Sequence, residues 1–393
     1  MNVWFTVDQS IHEPTGYSSR VRFELEFVRN HLNIQPMLLY QTGYDPLSEI
    51  SALAASYPIP ITKPRIIGPS LTARHAGLLA KIIGPPHVLY AENLTAAFLF
   101  KRFTRGNNIP LVCDYHGVVP EEMRMTYPGV QGIVRYLVFK TIERLVMQSV
   151  QAIVVVSDKL KRHLLSAYPF LSNRIIVELP MIPADIHLTT EKEQSSEVFS
   201  VVPRLKNAID NNHTIFCYLG QAQSWQCVQE TIAVYSRIER ERKDTFFLVL
   251  TRDTEEFRKL SQAKGIKNIE IRSVPHAMVP CFLKWCDYGF VIRKPHLVNF
   301  VASPTKVLEY LSAGVRPILT EAVGDFSDFL TQEQLGVVVP YRSLKNIDTG
   351  WILSLQRIAL TVKTATVLAA KNYIYLKSKN YESLWKDGFR NLP

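Results

Sequence analysis

The residues best suited to chemistry lie in the stretch Ser303-Pro304-Thr305-Lys306-Val307-Leu308-Glu309-Tyr310-Leu311-Ser312-Ala313-Gly314-Val315-Arg316-Pro317. Its spacing predicts a short helix with both ends marked. Ser303 reads as the N-cap, and Pro304 fits the first helical position, where its missing N–H costs nothing. Gly314 suits a left-handed stop before Arg316-Pro317-Ile318-Leu319 resumes as a strand. A helix N-terminus opening beside a strand end presents free N–H groups and the positive end of the helix dipole, which together attract an anion. Lys306 adds a positive charge to a first turn that would otherwise favour an acid, and this points to an external anion. Glu309 lies three residues on, on the same face. A carboxylate one turn below a phosphate can accept two hydrogen bonds from a ribose diol. The same residues also fit an ordinary capped helix with a Lys306–Glu309 surface ion pair.

Other candidates sit just after apolar runs, where strand ends expose side chains to ligands. Gly220 follows the run 215–219 and allows close approach of the backbone to a phosphate. The loop behind it offers Gln221, Gln223, Ser224 and Gln226, which hydrogen-bond without charge. Arg252 follows Phe246–Leu250, and Arg293 follows Val291-Ile292. With Lys306 they are the candidates to neutralise two phosphates in a dry cleft, most of all when these depart as an anion. His116 follows the run 109–114 directly, with Gly117 leaving room beside it. Glu121 and Glu122 could serve an acceptor but fit better as the favourable acids of a helix start. Gly16-Tyr17-Ser18-Ser19-Arg20 has one glycine and no G-x-G-x-x-G, so it is not a dinucleotide fingerprint. No nucleophile elbow, HExxH or acidic pair of DxD type is present.

The elements that must position these residues alternate. Strands are expected near 2–6, 35–40, 86–90, 109–114 and 152–156, then 215–219, 245–250, 268–272, 288–292, 316–320 and 336–339. Helical patterns fall near 17–32, 70–83, 93–104, 129–149 and 158–167, then 225–240, 254–263, 276–285, 303–313 and 342–362. Val-, Ile- and Phe-rich runs without polar alternation are buried on both faces, so the sheets should be parallel. The expected fold class is α/β, with two doubly wound Rossmann-like domains facing a central cleft. We expect a first domain over 1–190, a linker over 191–212 with its polar Glu191-Lys192-Glu193-Gln194-Ser195-Ser196, a second domain over 213–364, and a tail over 365–393 crossing back to the first.

Composition bounds the function. A 393-residue chain with 47% hydrophobic and 20% charged residues is globular and long enough for two cores. Runs such as Ala152–Val156 are too short to span a bilayer, and the N-terminus lacks the series of basic region, apolar core and cleavage site. Five cysteines without a CxxC read as buried thiols rather than zinc ligands or disulfides. A cytoplasmic protein is expected. The net charge of +10 admits nucleic acid, an anionic membrane or anionic small molecules as partners. No helix-turn-helix, zinc finger or RNA-recognition signature accompanies it, so nucleic acid is not expected. Lys101, Arg102 and Arg105, and Lys159, Lys161 and Arg162, are the clusters that could dock on an inner leaflet.

The 303–317 segment resembles the donor-nucleotide motif of retaining family 4 glycosyltransferases of the GT-B fold. Tyr218-Leu219-Gly220 with Trp225-Gln226 is similar to that family's first strand and turn of the second domain. Val274-Pro275-His276, then Trp285-Cys286-Asp287-Tyr288-Gly289-Phe290-Val291, resembles its base-binding loop and the strand after it. Asp114-Tyr115-His116-Gly117 resembles its strand-end histidine segment, and Val154-Val155-Val156-Ser157 the strand after the long helix. The resemblance implies sugar transfer from a nucleotide-sugar donor to a saccharide or lipid-linked hydroxyl, with retention and without an essential metal or cofactor. It further implies that His116 contacts the donor sugar and Glu309 the ribose. Pro275, His276, Ser303, Pro304 and Thr305 would line the donor site with Gly220, Gln221 and Arg293, and Gly16 and Tyr17 would lie on the acceptor side. Glu309 matches the second glutamate of the family's E-x7-E pattern, but Val301 stands where the first belongs. That departure, with the uncharged loop at 221–226, suggests one alternative, a non-catalytic nucleotide-sugar-binding subunit; the other is an enzyme of another class, a nucleotide-sugar epimerase or phosphorylase. The epimerase needs a carboxylate cluster that the sequence does not display.

Overall fold

In a computed structural model of the chain, residues 1–9, 11–13, 15–42, 45–59, 68–183 and 193–388 are described. They form two compact units. The first comprises Met1–Ala184, Val301–Ser303 and Leu376–Pro393, and the second Asp185–Phe300 and Pro304–Tyr375.

The first unit is a seven-stranded sheet of β1 (Val3–Thr6), β2 (Pro36–Gln41), β3 (Ala55–Ile59), β4 (Val88–Ala91), β5 (Leu111–Tyr115), β6 (Ala152–Val155) and β7 (Ile175–Glu178). Its order is β3-β2-β1-β4-β5-β6-β7, and every pairing is parallel. The chain reverses its direction of travel between β1 and β4, where Val3 pairs with both Pro36 and Val88. Side chains there are buried on both faces, as the uninterrupted apolar runs require. The Phe5 and Tyr90 rings meet at a tilt, centroids 4.8 Å apart, and Trp385 from the C-terminal segment stacks on both. Each such aromatic contributes on the order of 2–3 kcal/mol by leaving water.

The second unit has six parallel strands: β8 (Thr214–Leu219), β9 (Thr245–Leu250), β10 (Ile269–Arg272), β11 (Tyr288–Val291), β12 (Arg316–Thr320) and β13 (Val337–Val339). The order β10-β9-β8-β11-β12-β13 puts the reversal between β8 and β11. Phe290 stacks on Phe216 and meets Phe247 edge-on in the middle of the core.

Several elements depart from expectation. Strands β3 and β7 are edges of their sheet, short or interrupted by Pro58, so neither carries a long apolar run. Residues 191–212, expected as a linker, hold the helices Glu193–Val201 and Pro203–Asp210 in the second unit. Val198, Val202 and Leu205 are buried there at near-helical spacing, a period masked by polar neighbours. The pattern at 276–285 resolves into a 3-10 turn, His276–Met278, and a short helix, Val279–Leu283. The pattern at 342–362 breaks where Asp348 caps a new helix by accepting from the Trp351 N–H. A long helix, Leu360–Ser383, follows, and from Leu376 the chain belongs to the first unit. All five cysteines are buried, and none forms a disulfide.

Candidate functional site

The reversal point of the second unit gathers the charged candidates. Strand β8 ends at Leu219 and turns through Gly220 at φ +117°, a conformation that favours glycine. A Cβ on Gly220 would lie 2.8 Å from Lys306 Nζ, so the glycine also makes room for that ammonium. Lys306 is buried in the first turn of helix Thr305–Ser312. It donates to the Leu219 carbonyl at 2.6 Å and to Gln226 Oε1 at 2.7 Å, and lies 4.7 Å from the Tyr218 ring centre. Burial, with Arg293 adding repulsion, pushes its pKa well down. Arg293 follows β11, is buried, and donates to the Trp225 carbonyl at 2.8 Å; burial lowers it as well. Among the described residues no acid lies within salt-bridge distance of either cation. Tyr310 fixes the helix to the sheet, accepting from the Leu219 N–H at 2.9 Å and packing over Gly289.

Lys306 and Glu309 do not form the surface ion pair of the ordinary capped-helix alternative. Glu309 instead faces His276, Nε2 to Oε1 3.6 Å, so two residues expected at the donor site meet. Pro275 is exposed beside them. Ser303 is not the N-cap. That position is Pro304, which has no capping side chain, and the helix starts at Thr305. The Ser303 hydroxyl accepts the Met181 N–H at 3.1 Å within the first unit. Gly314 stops the helix at φ +73°, as expected. Gln221 and Arg252 share an open recess of about 660 Å³ at the ends of β8 and β9, with Arg252 on its exposed rim.

The reversal point of the first unit holds a carboxylate cluster that inspection of the sequence did not reveal. Asp114, Arg20 and Glu24 are completely buried. Arg20 donates Nε and Nη2 to the two Asp114 oxygens at 2.9 and 3.1 Å, and Nη1 to the carbonyls of Leu179 and Pro180. Its Nε is also 2.9 Å from Glu24 Oε1. Burial alone would raise the Asp114 pKa, but Arg20 and His116 outweigh it and hold the carboxyl well below its usual range. His116 Nε2 lies 2.8 Å from Asp114 Oδ2, so Nδ1 is left to act on a ligand. The Tyr17 ring packs edge-on against His116 at 5.8 Å, which unites two expected site residues. Gly16 opens the helix Gly16–Leu32 just before, capped by Thr15 and Ser18. Burial pushes Glu92 up to about 7 and Asp8 up to about 6, with Asn93 donating to Asp8. Glu121 and Glu122 lie in the first turn of helix Val119–Thr126, as their helix-start reading has it.

Glu92, Asp114 and His116 present possible metal-ligand atoms within 4.8 Å of one another. Both Asp114 oxygens already accept from Arg20, so a cation there would press on a guanidinium; the set suits shared protons better than a metal. The missed residues did carry a signal. Asp8 lies two residues beyond a strand and Glu92 directly after one, and Arg20 and Glu24 are one helical turn apart. The first-glutamate position, Val301, is buried, and its carbonyl accepts from Ser157 Oγ at 2.7 Å.

These two parallel α/β sheets, each with a reversal of strand order, define the fold of GT-B glycosyltransferases, and comparison with known structures agrees. The chain is similar to a glycosyltransferase from Rickettsia africae at 15% identity, covering 99% of each chain with a TM-score of 0.69. It is similar to HepE from Anabaena, solved with UDP, at 12% identity over 98% of this chain and 100% of that one, TM-score 0.67. It is also similar to WaaG, a glycosyltransferase involved in lipopolysaccharide biosynthesis, at 17% identity over 97% and 98%, TM-score 0.64. At such identities the likeness is one of fold. Residues 32–179, within the first unit, match the model of the family described as Glycosyltransferase Family 4, in line with the resemblance read from the motifs. No curated protein matches the chain in sequence.

Proposed function

We propose that the protein is a glycosyltransferase that takes its sugar from a nucleotide-sugar donor. The observation that carries this reading is the pair of buried cations, Lys306 and Arg293, at the reversal point of the second sheet, with no acid within salt-bridge distance among the described residues. Burying unpaired charge is expensive, and a bound anion removes the expense. A diphosphate fits, because the N-terminus of helix Thr305–Ser312 and the turn at Gly220 open at the same place. Glu309 accepts the ribose hydroxyls, with His276 beside it. When the glycosidic bond to phosphate breaks, the departing diphosphate gains charge, and Lys306 and Arg293 stabilise it. Arg252 supplies further charge from the rim. These cations do the work that a divalent metal does elsewhere, so no metal is required. His116, held by Asp114, contacts the sugar undergoing transfer, and Tyr17 lies towards the acceptor, a saccharide or lipid-linked hydroxyl. Transfer proceeds with retention, as in the enzymes that the motifs resemble.

The test is a panel of UDP-, GDP- and CMP-sugars in thermal-shift and product-release assays, with and without acceptors, since a ligand of the native state raises its melting temperature. One donor that stabilises the protein and yields a retained glycoside supports the reading. Stabilisation without turnover on any acceptor favours a binding subunit, the outcome to which Val301 points. A second reading, an epimerase, draws on the carboxylate cluster of Asp8, Glu92 and Asp114 beside His116. Solvent deuterium incorporated into the donor sugar without acceptor would favour it.

A further inference from the structure

Helix Gly129–Met147 carries an apolar stripe on its outside. Val130, Ile133, Val134, Leu137 and Val138 recur at the spacing of one helical face, the face that normally packs inward. Here all five are exposed, Val130 at 76% and Leu137 at 58%. Of the first ten residues of the helix, only Gly132 is buried. The helix packs on Leu94–Gly106, which packs on Gly68–Ile83, where Leu78 and Ile82 are exposed as well. Five large aliphatic side chains in one stripe exceed the scatter of single apolar residues that a surface normally shows.

The charge on these three helices is one-sided. They contain eight lysines and arginines and one acid, Glu143. Glu143 is buried and accepts from Tyr168 at 2.6 Å, from Lys140 at 2.6 Å and from Tyr115. The outer surface therefore has cations and no exposed carboxylate from its own helices. At its edge a recess of about 440 Å³ sets Lys101 and Arg105 beside Leu145 and Gln148, with no acid paired to either cation among the described residues. Helix Asp158–Ala167 differs, because its Arg162 pairs with Asp158 at 2.7 Å.

We propose that this helical face of the first unit docks on an anionic lipid bilayer. The stripe enters the boundary between headgroups and acyl chains, and the surrounding cations and the Lys101–Arg105 recess meet lipid phosphates. An interfacial face needs both ingredients, apolar area and positive charge. A second copy of the chain fits poorly, because a two-fold contact would press the same cations against themselves. No described helix is long and apolar enough to cross a membrane, so the attachment is to the surface. The proposal does not depend on the nucleotide-sugar reading, whose residues lie elsewhere.

Flotation of the full chain with vesicles tests it. The protein should float with vesicles of phosphatidylcholine mixed with phosphatidylglycerol, not with phosphatidylcholine alone, and salt should weaken the binding. Lys101→Glu with Arg105→Glu should lower the partition coefficient at low salt roughly tenfold or more. Val134→Asp with Leu137→Asp should lower it at low and high salt alike, because it removes the inserted part. These side chains are at the surface, and an unchanged melting temperature verifies the fold. Failure to float with anionic vesicles at low salt overturns the proposal. So does flotation indifferent to Val134→Asp/Leu137→Asp, or a solution dimer that these substitutions dissociate.

Discussion

Lys306 and Glu309, one turn apart on the same helix, have different partners: one donates into the end of β8, the other faces His276. If Glu309 accepts both ribose hydroxyls, Glu309→Gln weakens nucleotide binding by about 1–3 kcal/mol, the range for hydrogen bonds to a charged group. Calorimetric titration measures this, and unchanged affinity in the folded variant rules the role out. In the first unit, Glu92 is raised from 4.5 to about 7. Between those values the folded protein holds a proton that the unfolded chain has released, so stability falls as pH rises through the window. Asp8 acts with the same sign up to about 6. Asp114 has the opposite sign, and its contribution is lost only in acid, below its ordinary value. From pH 6 to 7 the slope should approach roughly 1 kcal/mol per pH unit for one proton, and Glu92→Gln should flatten it. Denaturant titrations over that range decide the matter, and a slope that survives the substitution refutes the assignment. The motif residues were legible because helix-end chemistry leaves fixed spacings. The carboxylate cluster was not, because Arg20, Glu92 and Asp114 come from three distant elements and meet only through the strand order.

Among the elements, the contact of helix Thr305–Ser312 with β8 and β11 does most to shape the site. Tyr310 reaches the Leu219 N–H, and its ring fills the space over Gly289, where a Cβ would come within 2.5 Å of it. Gly289→Ala should displace the ring and cost about 1–3 kcal/mol, the usual penalty of overpacking a core. It should also lower nucleotide affinity, since Lys306 and Glu309 move with the helix. A variant as stable as the parent in denaturant would show that the ring has room to yield. Apolar runs revealed the central strands of both sheets, because strands buried on two faces cannot alternate. Edge strands β3 and β7 escaped because one side of each faces no neighbour and polar residues or a proline are tolerated there. The helices within 191–212 escaped because a narrow apolar stripe sufficed to bury them.

For the molecule as a whole, the doubled β/α alternation conveyed the fold class, and strand order creates two reversal points, the places where open α/β sheets generally bind ligands. Two groups of cations stand out within the net charge of +10: a pair buried in the second unit and a set exposed on one helical face of the first. The account rests most heavily on the buried pair. Its most direct test is calorimetric titration of a nucleoside, the matching nucleoside diphosphate and inorganic phosphate into the parent protein and Lys306→Ala, with uracil, guanine and cytosine as bases. The diphosphate of the preferred base should bind at least roughly tenfold more tightly than its nucleoside, a gain typical of charge-assisted hydrogen bonds. Lys306→Ala should erase most of that gain and leave nucleoside affinity nearly intact. Equal affinity for nucleoside and diphosphate, or a gain that survives the loss of Lys306, would contradict the claim that this strand end is a diphosphate site.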